Sequence, residues 1–415
     1  MTERTRQIGH LAFISVLAAS GDTDPSANAA RAGLLVLRLV DAWMEDGALA
    51  GSPGGRAATA VRTAIESITV GTPARALLGE VLDAMLASRP HDLREVGSRL
   101  LAYGYDLELD ARWALAIDVY ETILAHIHQG EDIDTLIKTQ LRRASCLREL
   151  GRFAESDVAY DVVTLQAQAC SDTRGELRAA IGRAMLAIAR GNLPLADEIL
   201  VETVRRATAH SLPDERSRAL HERAALAHAR GEYEMALHHG FAALREAATQ
   251  PARDRLLGDI AAAFSMLGVR PAAREVFLNL AATAREPVLR WTATINLMEF
   301  ASEEGDRPQF DVYREQLDGA ALPPRLRVEY ELHVGRGYRT FGEPDAARKW
   351  LERALISATS YSFNALVFKV ERLLLAAPIA ARGQMPIPAP NIPIVVEKIA
   401  AKLRAMRELS VWGSE

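Results

Sequence analysis

The sequence predicts an all-α protein built from repeated pairs of helices, and the regular spacing of its glycines is the main reason. Six glycines return at fixed intervals: Gly151, Gly191, Gly231, Gly268, Gly305 and Gly342. Ala111 lies where an earlier one would fall, so the intervals are 40, 40, 40, 37, 37 and 37 residues. A constant period of this length indicates stacked units that bury their apolar faces against neighbours. The composition, with 6% aromatic and 25% charged residues, also suits a helical protein.

Small residues recur at two further positions in each unit. Seven residues before the turn residue stand Gly104, Ala144, Ala184, Ala224, Ala261 and Gly335, with Met298 as the exception. Five residues after it stand Ala116, Ala196, Ala236, Ala273 and Ala347, with Ser156 and Phe310 as exceptions. Two residues after it an apolar side chain is common: Trp113, Phe153, Leu193 and Tyr233. Small residues on both helices allow close packing, and a turn glycine supplies the left-handed conformation that ends the first helix.

Residues 1–90 precede the repeat and contain four helical patterns, which we assign to Thr5–Ser20, Ala27–Glu45, Arg56–Ser67 and Pro73–Ser88. They predict a small bundle, or two degenerate repeats, packed on the first clear unit. The segment RAGLLVLRLVDAWMED is apolar on most of its surface and is expected to be buried. Residues 1–20 faintly resemble an export signal, but the apolar part is short and suits one face of an ordinary helix.

The repeat array is predicted over residues 91–377, where it ends in an unpaired helix, and the C-terminal segment is predicted to be separate. Residues 378–392 form a proline-rich linker in which a helix is excluded. Residues 393–415 contain an amphipathic helix, whose apolar positions we assign to Val395, Ile399, Leu403 and Met406. Two interpretations remain open. The helix caps the last apolar face of the array, or it lies in a groove as a ligand.

Two segments of the chain resemble the tetratricopeptide repeat (TPR). The clearest is LRELGRFAESDVAY, Leu147 to Tyr160, followed by ARGEYEMAL, Ala229 to Leu237. The resemblance covers residues 91–377 and implies a right-handed superhelical α-solenoid of about seven helical hairpins. It also implies that the first helix of each pair lines a concave groove. The groove positions are then thirteen, ten, six and three residues before the turn residue.

At the thirteen-before position, four consecutive units carry a basic residue: Lys138, Arg178, Arg218 and Arg255. Such a ladder predicts an anionic, extended ligand, for example an acidic peptide, because arginine pairs bidentately with carboxylates. The alternative is that nearby acids, such as Asp254 and Asp259 beside Arg255, take up these charges. The remaining predicted groove residues are Leu141, Arg142, Ile181, Met185, Ile188, His221, His228, Arg336 and Arg339. Lys138 and Arg142 match part of a TPR carboxylate clamp, but Ala102 replaces its asparagine.

Composition and motifs argue against several function classes. A net charge of −5 gives no general attraction to nucleic acid, and two cysteines fit a reducing compartment. No apolar run is long enough to span a bilayer. The sequence has no phosphate loop, nucleophile elbow or zinc spacing, and Ala225 stands where a zinc-protease motif at His221 needs its second histidine. We therefore expect a cytoplasmic, non-enzymatic protein without cofactor or metal.

The leading hypothesis is a TPR scaffold that binds a protein or peptide, partly acidic, in its concave groove. The alternative is a bacterial signalling regulator with a helical N-terminal output module and a peptide-sensing array, which the chain matches in layout only. Catalysis by dispersed residues is a third possibility. The ligand and the oligomeric state stay open.

Overall fold

The computed structural model describes residues 9–20, 25–46, 55–89, 92–127, 132–361, 363–375 and 393–412. Within these ranges the chain forms twenty helices and no strand. It divides into two compact units, Met1–Asn192 and Leu193–Glu415. In each unit the helices pack consecutively against their neighbours, which confirms the all-α solenoid class. The handedness of the superhelix stays a prediction.

Four helices precede the repeat, as the sequence predicts. They are α1 (Leu11–Ala19), α2 (Pro25–Asp46), α3 (Arg56–Glu66) and α4 (Pro73–Ala87). Helix α2 is the buried centre of this region, because Val36, Leu37, Val40 and Trp43 are at most 1% exposed. Their core continues without interruption into the first repeat pair. The first eight residues of the possible export signal lie outside the described residues.

Seven helix pairs follow with nearly constant bounds. The pairs are α5 (Leu93–Leu109) with α6 (Trp113–His126), α7 (Ile133–Glu149) with α8 (Phe153–Ala169), α9 (Thr173–Ala189) with α10 (Leu193–Ala209), α11 (Pro213–Ala229) with α12 (Tyr233–Leu244), α13 (Gln250–Met266) with α14 (Arg270–Thr283), α15 (Pro287–Glu304) with α16 (Arg307–Asp318), and α17 (Pro324–Thr340) with α18 (Pro344–Ser360). Every first helix begins 18 residues before the turn residue, and every second helix begins 2 residues after it. The turn residues all have positive φ, from 56° at Ala111 to 78° at Gly342. The sequence-derived register is therefore confirmed in all seven pairs.

The small residues bring paired helices into close contact. A Cβ atom on Gly104 would lie 2.4 Å from the ring of Tyr120, on the second helix of the same pair. The residues five positions after the turn are all buried, including the two exceptions. Ser156 keeps the contact polar, since its hydroxyl donates a 2.8 Å hydrogen bond to the backbone oxygen of Ala144. Ala144 is the small residue seven positions before the turn, so the serine satisfies itself within the contact.

Arginines at a repeated position join one pair to the next. Arg190 donates to the backbone oxygen of Phe153 at 2.9 Å and pairs with Asp157 at 3.1 Å. Arg230 repeats the arrangement in the second unit, with the oxygen of Leu193 at 3.0 Å and with Asp197 at 3.5 Å. These arginines stand immediately before the turn glycine, so the repeat period also carries structural charge pairs.

The last two helices are α19 (Asn364–Leu375) and α20 (Ile394–Trp412), and α20 corrects two predictions. It packs its apolar residues into the core around α12, α13 and α14, rather than against the last array helix. Its buried stripe is Val396, Ile399, Ala400 and Leu403, a regular helical spacing, whereas Val395 is 54% exposed. The predicted apolar position at Val395 is therefore wrong by one residue. The predicted linker 378–392 and the side chain of Met406 lie outside the described residues.

We predict that Gly182→Ala destabilises the protein, because the added Cβ would lie 2.2 Å from the ring of Tyr160. Overpacking of this kind costs about 1–3 kcal/mol of unfolding free energy. The matched control is Gly79→Ala in α4, where a Cβ meets nothing within 4 Å. That change should stabilise the protein by roughly 0.5–1 kcal/mol, as alanine restricts the unfolded chain. Urea unfolding measures both, and equal shifts for the two variants would show that the close contact is unimportant.

Candidate functional site

The predicted groove positions lie on the first helices of the pairs, and we call the surface they form the first-helix face. In the first unit, α5 contacts α7 and α7 contacts α9. In the second unit, α11, α13, α15, α17 and α19 contact one another in the same consecutive manner. The first helices of each unit therefore lie side by side, as a shared face requires.

In the first unit, Arg142 links two neighbouring first helices. Its guanidinium lies 4.3 Å from the ring centroid of Tyr105, and its Nε lies 3.4 Å from a carboxylate oxygen of Glu108. Both partners are on α5, whereas Arg142 is on α7. The arginine thus combines a cation–π contact with an ion pair, and its side chain remains 39% exposed.

Glu108 is at the centre of a small polar network beneath this arginine. The Tyr120 hydroxyl donates to its carboxylate at 2.5 Å, and the Cys146 thiol is a second donor to it. Burial raises the pKa of Glu108, and the neighbouring Arg142 opposes that rise. Burial and the Glu108 charge also raise the pKa of the Cys146 thiol, which keeps it protonated. The network is built to hold a carboxyl group in place, and the thiol is unreactive there.

The other predicted residues of the first unit differ in how much surface they offer. Lys138 is exposed and pairs with Asp134 one turn away on the same helix. Arg178 is half-buried. Leu141, Met185 and Ile188 are partly buried, and Leu141 packs against two core clusters. Ile181 is only 8% exposed, so it contributes chiefly to the core.

In the second unit, two members of the predicted ladder line one cavity. Arg218 and His221 on α11 face Arg255 on α13 across a cavity of about 190 Å³. Asp214 is the one acidic side chain on its wall, and the backbone from Ala247 to Thr249 closes one side. Two guanidinium groups against one carboxylate leave this cavity with an excess of positive charge.

The acidic partners around this cavity differ from those expected. Arg255 pairs with Glu286 at 3.3 Å and donates to the backbone oxygen of Pro251 at 3.2 Å. Asp259 instead lies 2.5 Å from the imidazole of His221. Burial would lower the pKa of His221, but the hydrogen bond and charge of Asp259 outweigh it, so the pKa is raised. Asp254 is buried and accepts a hydrogen bond from Gln250 at 2.6 Å.

The remaining predicted residues lie elsewhere on the first-helix face of the second unit. His228 packs edge-on against Tyr233, with ring centroids 5.2 Å apart. Arg336 pairs with Glu299 on the neighbouring first helix. Arg339 donates to the backbone oxygen of Leu373 at 3.1 Å, which ties α17 to α19. These three side chains therefore make intramolecular contacts, and the histidine is 7 residues from His221 without meeting it in the cavity.

His333 also lies beside Glu299, at 3.5 Å. Burial lowers the pKa of this histidine to about 4, so it is neutral at pH 7. Burial would raise the pKa of Glu299, but its cationic neighbours lower it overall. With His333 neutral, Arg336 is the cation that keeps Glu299 ionised.

Sequence reasoning missed two residues that its own rule could have found. Tyr105 and Glu108 stand six and three residues before Ala111, so they occupy groove positions of the first unit. No such signal marks Glu286 or His333, which lie outside those offsets and meet their partners only through the packing of neighbouring helices.

Neither protein-family models nor curated protein sequences give a match to the chain.

The described helices set two further limits on the site. None of them combines the length and the apolar character needed to cross a membrane. Within the same residues, no group of three histidine, cysteine or acidic side chains is arranged to hold a metal ion.

A second titratable cluster lies outside the first-helix face and fixes the start of α1. The carboxylate of Asp41 contacts the ring nitrogens of His10 at 2.8 Å and His126 at 2.9 Å. Asp118 accepts the backbone N–H groups of Ala12 and Phe13 at 2.9 and 3.3 Å. Burial would raise the pKa of Asp41, but hydrogen bonds and charge from the two histidines lower it to about 2.

We predict that the stabilising effect of Asp41 is lost in acid. Its folded pKa of about 2 lies below its ordinary value of 3.8, so its contribution is complete above pH 4 and vanishes as the pH falls through 2. Asp41→Asn should therefore lower the unfolding free energy by on the order of 2 kcal/mol at pH 5 and by much less near pH 2. Chemical denaturation at several pH values measures the difference.

The control is Asp83→Asn, which removes an exposed ion pair with Arg62. Such a pair contributes about 0–1 kcal/mol, so its loss should change little at any pH. A difference between wild type and Asp41→Asn that stays constant from pH 5 to pH 2 contradicts the assignment.

Proposed function

We propose that the chain is a non-enzymatic tetratricopeptide-type scaffold that binds a protein or peptide through its first-helix face. The observation that carries this proposal is the cavity between α11 and α13, where Arg218 and Arg255 come together. Repeat scaffolds use such faces to hold extended segments of other proteins.

The repeat geometry supports the tetratricopeptide assignment. Seven pairs share their start positions relative to a left-handed turn, with small residues seven before and five after it. The units are longer than the 34-residue consensus of the family by six and then three residues. The extra length leaves the pairing positions unchanged, since they are counted from the turn.

The chemistry of the cavity favours a carboxylate as the recognised group. Guanidinium groups donate two parallel hydrogen bonds to a carboxylate, which gives orientation as well as attraction. Arg218 is exposed, and Arg255 keeps 48% of its side chain exposed beside Glu286. A ligand carboxylate would compete with Glu286 for a pair that is itself weak, because exposed ion pairs contribute little. An acidic side chain or a chain terminus of the ligand would meet this requirement.

The first unit offers a different set of contacts. Tyr105, Leu141, Met185 and Ile188 present partly exposed apolar surface on its first-helix face, next to Arg142. This surface suits apolar side chains of the same kind of ligand, with Arg142 able to donate to its backbone or acidic groups. Preformed helices lower the cost of ordering the protein on binding.

Both cysteines are free thiols, and Cys170 is exposed. An exposed free thiol persists in a reducing compartment, so we place the function in the cytoplasm. The absence of recognisable catalytic motifs from the sequence supports a binding role without cofactor.

We predict that Arg218→Glu with Arg255→Glu weakens partner binding at least about tenfold, because two attractive contacts become repulsive. The full-length protein is immobilised and used to capture partners from a lysate of its source. A captured partner is then mapped to a peptide and measured with free and neutralised carboxylates. Both the charge-reversed protein and the neutralised peptide should bind weakly.

The matched control is Arg205→Glu with Arg348→Glu. Both arginines lie on second helices, are at least 68% exposed and pair only with a glutamate of their own helix among the described residues. This variant has the same net charge as the test variant and should bind normally. Equal loss in the two variants would mean that overall charge, and not the cavity, controls binding.

A further inference from the structure

Helix α20 occupies a groove formed by α12, α13 and α14 of the second unit. Its buried stripe enters the same apolar cluster as Leu244, Phe264 and Phe277. This groove is separate from the first-helix face, because it is built from two second helices and from positions of α13 other than Arg255. A site here is therefore independent of the proposed carboxylate cavity.

Charged contacts fix the direction in which α20 lies. The Arg404 guanidinium pairs with Glu275 of α14, with Nε and Oε2 3.2 Å apart. The Lys402 ammonium lies 5.8 Å from the ring centroid of Phe241 on α12. The Arg404 side chain is 55% exposed, so these contacts orient the helix at its margins and hold it weakly.

The fit between α20 and its groove is incomplete. A cavity of about 180 Å³ remains between α20 and the α13–α14 pair, lined by Leu257, Phe264, Val276, Ala400 and Leu403. A cavity of ~150 Å³ is large enough to hold a benzene molecule. The apolar atoms around the space lack packing partners there, and the dispersion energy of those contacts is missing.

We propose that α20 is a displaceable intramolecular occupant of a helix-binding groove. The groove accepts an amphipathic helix of a partner protein that carries a larger apolar side chain at the position of Ala400 and a basic residue opposite Glu275. The unfilled cavity selects the larger side chain, and Glu275 selects the basic residue. Such a helix makes the contacts that α20 lacks while keeping those that it has.

Displacement of α20 has a defined thermodynamic requirement. Because α20 belongs to the same chain, it competes at an effective concentration on the order of millimolar. A partner helix must therefore exceed the affinity of the α20 sequence, and the cavity is the place where that gain is available. The intramolecular helix then acts as a threshold that excludes weaker helices.

A labelled synthetic peptide of residues 393–412 tests the groove in the full-length protein. Three proteins are compared by fluorescence polarisation: wild type, Ile399→Asp and Val395→Asp. Ile399 is 6% exposed in the docked helix, so an aspartate there should release α20 and open the groove. Val395 is 54% exposed, so the same change there should leave α20 docked. We expect the peptide to bind Ile399→Asp at least about tenfold more tightly than the other two proteins.

A peptide carrying Ala400→Phe tests the cavity, and we expect it to bind Ile399→Asp at least about fivefold more tightly than the unmodified peptide. A peptide carrying Arg404→Glu should bind weakly, and adding Glu275→Arg to the protein should restore its binding. Rescue by the exchanged charges requires direct contact across the groove.

Three results would overturn the proposal. The first is a peptide that fails to bind Ile399→Asp although hydrogen exchange shows α20 released and α11–α14 still protected. The second is continued protection of α20 in Ile399→Asp, which would mean that this groove does not hold it. The third is a wild-type dimer, detected by light scattering, that the peptide dissociates, since the occupant would then be a second copy of the chain.

Discussion

The close contact between the two helices of each pair is the constraint on which the structure depends. It requires a small residue seven positions before the turn and a buried residue five positions after it. Where alanine is replaced, the structure keeps the contact by other means, as Ser156 does through its hydrogen bond to Ala144. Because the contact is the same in every pair, the helix start positions are the same too, and each unit can be stacked on its neighbour.

Most of this architecture could be predicted from the sequence, because the turn and the close contact are local and periodic. Ala111 takes the left-handed conformation although it lacks the glycine signal, since the period fixes its position. Ser171 and Ser211 take the same conformation between pairs, and no sequence pattern marks them. The placement of α20 could not be predicted, because an amphipathic pattern specifies a buried face and not the surface that covers it. An error of one residue at Val395 then changes the face.

Charge was the least predictable part of the site for a related reason. Basic residues recur with the repeat period at more than one position, and periodicity does not distinguish their roles. Arg190 and Arg230 join neighbouring helix pairs, whereas Arg218 and Arg255 meet at a cavity. The partners of Arg255 and His221 come from helices next in the stack, so local sequence gives no access to them.

The change of period from 40 to 37 residues falls at the interval that contains α12. This helix ends at Leu244, 13 residues after its turn glycine, whereas α8 and α10 continue for 18. The end of α12 is also where α20 docks, with Leu244 and Gln250 beside it. A shorter second helix leaves part of its neighbours' apolar surface uncovered, and a segment from outside the array covers it. A deletion within a repeat can thus act as a receptor for a non-repeat element, and the arithmetic of the period shows where to look for one.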